Sequence, residues 1–183
     1  MRVPRSKKRS IPDEVWQRHF VGASGSYDGD RFETLSLEIL KAEFGGDWIR
    51  TQRSYDGNKD FVLEFQNRTI WAESKAYART LTYHVVSPTL FMALIGQPEA
   101  IVLISRSGIH ERSKQYLAQF QRKSGKRIVA LDGDTLDRLI ISHGAIARRF
   151  FPNEQLQAGE GAGLRVFLSR TPDVTVHPRG ASW

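Results

Sequence analysis

Asp60, Glu73 and Lys75 are two carboxylates and one ammonium, spaced so that a pair of strands would gather them. Side chains alternate along a strand, so within 69–76 Trp71, Glu73 and Lys75 share one face and Ile70, Ala72, Ser74 and Ala76 share the other. The second set is small or apolar and suits a core. A surface ion pair would account for Glu73 and Lys75 at little energetic consequence. Asp60 changes the balance. If 61–65 and 69–76 form a hairpin turning at Gln66-Asn67, position 60 pairs with 73; with a turn at Asn67-Arg68 it pairs with 75. Either register puts Asp60 on the face of Glu73 and Lys75. Glu33 is a fourth candidate. On a helical projection it falls inside the apolar arc of Phe32, Leu35, Leu37, Ile39, Leu40, Ala42 and Phe44. A carboxylate there is costly unless paired or metal-bound, the alternative being a border residue that reaches solvent.

Two or three carboxylates converging on a lysine suit Mg²⁺, which takes oxygen ligands and keeps waters for substrate phosphates. Such an ion polarises a phosphodiester and lowers the pKa of an attacking water. Lys75 would position or deprotonate that water, or offset charge developing on the phosphorane. No covalent intermediate is required.

These residues need elements to position them. The pattern predicts a short helix over 13–20 opened by Pro12, a loop over 22–29, and a stronger helix over 30–44 closed by Gly45-Gly46. Strands follow over 48–53, 61–65 and 69–76, with turn-rich Tyr55-Asp56-Gly57-Asn58-Lys59 between the first two. Ser87-Pro88 has the chemistry of a helix start, giving a helix to Ile95 that stops at Gly96. Segment 100–105 is a continuous apolar run, as in a strand buried on both faces. A polar helix over 110–123, a strand over 127–131 and a last helix capped by Asp134 complete the order. This is an α/β pattern with a mixed sheet of about five strands and helices on both faces. Gly159-Glu160-Gly161-Ala162-Gly163 reads as linker, because no Lys-Ser/Thr follows to make a phosphate loop, and 164–168 as a possible further strand.

Composition sets the outer limits. The 183 residues suit one domain with short extensions, and no apolar run approaches a membrane span. The absence of cysteine excludes disulfides, thiolate zinc sites and cysteine nucleophiles. A net charge of +7 favours a polyanionic partner. Part of that excess is local, since Arg2, Arg5, Lys7, Lys8 and Arg9 crowd the start as a solvated or DNA-touching arm. That opening lacks the apolar segment of a secretory signal, which leaves the cytoplasm as the default.

Asp60 followed by Glu73-Ser74-Lys75 resembles the D…ExK signature of PD-(D/E)xK nucleases. More narrowly, Phe32-Glu33, Asp56-Gly57-Asn58-Lys59-Asp60 and Ala72-Glu73-Ser74-Lys75 resemble the Mrr-like restriction endonuclease domain, over about 30–140. Segments 101–105 and 128–133 resemble that domain's later strands. The resemblance implies a restriction-endonuclease-like fold, Mg²⁺-dependent cleavage of DNA with Mn²⁺ as a substitute, and a bacterial restriction or anti-phage setting. It implies metal ligation by Asp60, Glu73 and the backbone carbonyl of Ser74, with Glu33 acting directly or through water. Asn58-Lys59 departs from the family's usual turn and alters that loop's contacts.

Lys59, Tyr77, Arg79, Arg106, His110 and Arg112 are candidates to contact nucleic acid around this centre. A solvated helix face explains Arg106, His110, Arg112 and Lys114 equally well. His84, His110 and His143 lack metal-ligand spacing and read as structural or surface residues. The expected organisation is a basic arm and short helix over 1–26, the nuclease domain over 27–152, and a linker and tail over 153–183 that begins a further domain of a longer protein. One such site cuts one strand, so a homodimer or larger assembly is expected. The competing readings are a non-catalytic nucleic-acid-binding or assembly module of the same fold, and an RNA nuclease. No base-reading helix-turn-helix or zinc finger is recognisable.

Overall fold

Apolar side chains at helix and strand periods must be buried against one another, and here they are buried on both sides of one sheet. The computed structural model describes residues 10–51 and 59–156. The basic opening, the turn around Asp56-Gly57-Asn58, the 159–163 linker and the 164–168 strand lie outside the described residues. The elements are α1 (Asp13–Phe20), α2 (Gly29–Phe44), β1 (Ile49–Arg50), β2 (Phe61–Phe65), β3 (Arg68–Lys75), α3 (Tyr83–Gly96), β4 (Ala100–Ser105), α4 (Glu111–Ser124), β5 (Arg127–Asp132), α5 (Asp134–Ser142) and α6 (Gly144–Phe150). The strands lie in sequence order, β1 to β3 antiparallel and β3 to β5 parallel. Parallel neighbours need crossovers, and α3 and α4 supply them.

The two faces of β3 and β4 feed two cores. Ile70, Ala72, Val102 and Ile104 pack with α1, α2, α5 and α6, while Trp71, Ile101 and Leu103 pack with α3 and α4. All six residues of β4 are buried, as its unbroken apolar run requires. The β2–β3 hairpin turns at Gln66 and Asn67, both with positive φ, and pairs Phe65 with Arg68. That register sets large against small, Phe61 opposite Ala72. A slip by two residues would oppose Phe61 to Ser74 instead.

Three expectations are corrected. The helix expected to open at Ser87-Pro88 begins at Tyr83 and carries Pro88 inside it. Pro88 withholds the bond to the His84 carbonyl, but both residues lie exposed, where water satisfies that oxygen. The chain continues into α6, whose Ile146 and Phe150 are buried one turn apart. Asp134 does not cap α5: its carboxylate accepts from Ser10 N–H (3.2 Å) and Ser10 Oγ–H (2.7 Å). Helix α1 packs into the same core. Ile11, Trp16 and Phe20 are fully buried or nearly so, and Trp16 meets Phe151 edge-on with ring centroids 5.0 Å apart.

Gly96 closes α3 against Trp71, where an added methyl would lie 2.3 Å from the indole ring. Gly96→Ala is expected to destabilise the domain by about 1–3 kcal/mol through overpacking. Urea unfolding would show this as a lower midpoint; an unchanged midpoint would mean that Trp71 shifts freely.

Candidate active site

Alternation along β3 carries Trp71 into the α3/α4 core and then sends Glu73 and Lys75 along the same face toward the strand's end. Glu73 is 3% exposed. A carboxylate so placed needs a partner, and Lys75 Nζ forms an ion pair with Glu73 Oε1. The Lys75 side chain is 24% exposed, so its ammonium stands at the boundary between core and solvent. Burial is the largest influence on that ammonium and works against its charge. Attraction and hydrogen bonding to Glu73, with the charge of Asp60, outweigh it and raise the pKa above the ordinary 10.5.

Asp60 sits just before β2. Its N–H donates to the Ala72 carbonyl (2.9 Å), although Ala72 is already the register partner of Phe61. Two residues against one is the arrangement of a β-bulge, and it breaks strict alternation. The Asp60 carboxylate is turned along the edge of β3, where Oδ2 accepts from Ser74 N–H (2.7 Å) and Ser74 Oγ–H (2.9 Å). Simple alternation puts Asp60 squarely on the Glu73 face. The structure places it at the strand edge, near enough for its charge to act on Lys75. Thr51 holds the approach, its N–H donating to the Asp60 carbonyl (2.9 Å) and its hydroxyl to that of Lys59 (2.6 Å). Nothing in the sequence marks Thr51 or the Ser74 hydroxyl, because both act only once β1, β2 and β3 are in register.

Glu33 is placed differently. Its carboxylate pairs with Arg50 of β1, which also binds Asp30 at 3.0 Å, and none of its hydrogen bonds or ion pairs reaches Asp60, Glu73 or Lys75. Arg50 is the residue that sequence reasoning missed here, since a helix-to-strand pairing leaves no periodic signal.

Among the described residues, the oxygen donors that the centre offers include the Asp60 and Glu73 carboxylates and one backbone carbonyl. Carbonyls alternate along β3, so that of Ser74 points to the same side as the Ala72 carbonyl that receives Asp60 N–H. Among the described residues no group of three or more His, Asp or Glu side chains is assembled as a metal site. Two carboxylates and a carbonyl are nevertheless the hard donors that Mg²⁺ takes when it retains waters, so this set fits the ion.

The outer candidates divide. Tyr77 is 51% exposed, and Arg79, His110 and Arg112 are exposed as well. The loops carrying them are zipped together: Leu81 N–H donates to the Gly108 carbonyl, His110 N–H to that of Leu81, and the Ser107 hydroxyl to that of Arg79. His110 Nδ1 accepts from Arg112 N–H at 3.2 Å, which caps α4. Lys59 lies over the Trp71 ring, 4.4 Å from its centroid. Arg106 does not join the exposed edge. It is 3% exposed, bonded to Asp13 (2.5 Å) and stacked on Tyr27, and so ties α1 to the end of β4. His84 is exposed, and His143 pairs with Glu43 away from this centre.

Among solved structures, the fold is similar to that of AspBHI, a DNA modification-dependent restriction endonuclease, with a TM-score of 0.50 at 16% identity over 79% of this chain and 40% of that one. It is also similar to the MspJI restriction endonuclease in complex with a 27-mer oligonucleotide, with a TM-score of 0.49 at 15% identity over 90% of this chain and 37% of that one. The chain thus spans well under half the length of either. No curated protein sequence matches it. No helix among the described residues is long and apolar enough to cross a membrane. The family model Mrr_cat, restriction endonuclease, matches residues 25–140, a span that contains Glu33, Asp60, Glu73, Ser74 and Lys75. On that match over more than half its length, the chain belongs to the Mrr-type restriction endonuclease family.

Proposed function

We propose that this domain hydrolyses DNA phosphodiester bonds with Mg²⁺ held by Asp60, Glu73 and the Ser74 carbonyl, Mn²⁺ serving as a substitute. The observation that carries the reading is the buried Glu73–Lys75 pair on β3 with Asp60 anchored to Ser74 beside it. When bound, the ion supplies a polarised phosphate and a more acidic water. Ser74 N–H and Oγ–H hold the Asp60 carboxylate in a fixed orientation, and the ion pair holds Lys75 at the solvent boundary. From there the ammonium donates to the attacking water or to a phosphate oxygen, where a positioned charge lowers the barrier. Glu33 enters this scheme only by exchanging Arg50 for the ion or for one of its waters. Bacterial restriction or anti-phage defence, in the cytoplasm and within a longer protein, is the setting this reading implies.

Supercoiled plasmid incubated with Mg²⁺, with Mn²⁺ and with chelator is the direct test. Nicking or linearisation that chelator abolishes supports the reading. A domain that binds DNA yet cuts under neither metal would be the non-catalytic module. Preference for a matched RNA in competition would reassign the substrate.

Tyr77, Arg79, His110 and Arg112 form the rim against which the backbone would lie, with Lys59 joining it on release from Trp71. Replacing Arg79 and Arg112 by alanine is expected to weaken binding to unrelated duplexes alike. The slope of log affinity against log salt should become shallower by about 1–2, roughly one unit for each phosphate that is no longer neutralised. Anisotropy titrations across a salt series would reveal it, and an unchanged slope would remove both residues from the interface.

A further inference from the structure

Charge is spread unevenly along this chain. Residues 74–131 hold nine lysines and arginines against two acids, Glu99 and Glu111. The other described residues, 10–51, 59–73 and 132–156, hold nine against fifteen acids. Four of the first nine lie on α4, which buries Ser113 and Leu117 and exposes Arg112, Gln115, Tyr116, Gln119, Arg122 and Lys123. Those six recur every three or four residues, so they form one stripe about 15 Å long. The single acid of the helix, Glu111, sits in its first turn, where the helix end favours a negative charge.

Elsewhere on the surface cations meet carboxylates. Arg18 pairs with Glu154, Arg50 with Glu33 and Asp30, Arg138 with Asp134, and Arg149 with Glu38. The side chains of Arg112, Arg122 and Lys123 pair with no carboxylate among the described residues. A solvated face does not need acids kept away from it. A face that meets a polyanion does, because like charges across a contact cost affinity.

The chemistry of the stripe and its place in the fold name the polyanion. It has no aliphatic side chain to enter a lipid layer, and its amides and tyrosine hydroxyl are donors that phosphate oxygens accept. It begins at Arg112, on the rim of the candidate active site, and leads away from it, as a duplex continues past the bond being cut.

We propose that the exposed stripe of α4 binds the backbone of duplex DNA beside the cleavage centre, with Arg122 and Lys123 as its far phosphate contacts. That the duplex is a substrate rests on the nuclease reading; the binding itself requires no cleavage.

Anisotropy titrations of a duplex in chelator, across a salt series, test it. Arg122→Gln/Lys123→Gln should raise the dissociation constant by about 10-fold and make the log–log salt slope shallower by about 2. Arg148→Gln/Arg149→Gln removes the same charge from α6 and should leave both quantities unchanged. All four positions are exposed and glutamine is a good helix former, so melting temperatures should match the wild type. Equal weakening by the two pairs would mean that net charge alone acts, and would overturn the proposal. So would an unchanged α4 pair, or one that loses binding only to phosphatidylglycerol vesicles, which would assign the stripe to a membrane. With Mg²⁺ and plasmid the α4 pair should raise KM and leave kcat unchanged. Weakened duplex binding by the α4 pair, with no cleavage by the wild type, would remove the nuclease reading and leave the contact in place. Cleavage with wild-type KM and duplex affinity in the α4 pair would do the reverse.

Discussion

Lys75→Ala is expected to reduce plasmid cleavage by about 10²–10⁴-fold, the range associated with losing one positioned acid–base or charge-stabilising group. Asp60→Ala and Glu73→Ala should fall at least as far, because each removes one of the two carboxylates that the proposed donor set holds among the described residues. Gel assays run beside wild type measure this directly, and equal activity in all four proteins would mean that the centre is wrongly placed. Folding must be separated from chemistry, since Lys75→Ala leaves Glu73, 3% exposed, without its cation. Lys75→Met keeps the stem that packs along β3 and removes only the charge, so melting curves of the two variants isolate the packing contribution. The sign of the pH dependence is determined. A lysine whose folded-state pKa lies above 10.5 adds stability that is fully present below that value and is lost as pH rises through the raised one. The stability difference between wild type and Lys75→Met should therefore be flat across neutral pH and shrink only in strong alkali.

Asp137→Ala is expected to produce the largest loss of stability outside the candidate site. Asp137 is fully buried, and its carboxylate accepts from Ile11 N–H (3.1 Å) and from Trp16 Nε1–H (2.9 Å). Bonds to a charged acceptor are strong, and deleting that acceptor leaves two donors buried without it, at a cost of about 2–4 kcal/mol together. For a domain of this size that corresponds to a melting temperature lower by about 5–15 °C. Asp137→Asn should recover only part of the loss, since its amide offers one acceptor where two donors converge. Calorimetry of the three proteins decides the matter, and an unshifted Asp137→Ala would show that aromatic packing alone docks α1.

Much of the frame is legible in the sequence because it rests on short-range pattern. The alternation of 61–65, the apolar run of 100–105 and the Gly125 stop of α4 each reflect residues a few positions apart. The start of α3 is not legible in the same way. Ser87-Pro88 carries first-turn chemistry, while the solvent that lets Pro88 sit inside a helix is a property of the fold. Helix α6 is hidden because its Gly144 start resembles a stop; its docking depends on Phe20 and Phe32, more than a hundred residues earlier in the chain.

The same division runs through the candidate site. By itself the sequence determined that Glu73 and Lys75 share a face and that Ser74 faces the other core, because the strand's two-residue period settles both. Only the tertiary structure decided the rest. A bulge turns the Asp60 carboxylate to Ser74, Arg50 claims Glu33, Asp13 draws Arg106 out of reach of solvent, and Trp71 holds Lys59. Each of these is set by a partner from another element, and a charge near a core takes whichever counter-charge or ring the packing brings to it, something no local spacing encodes.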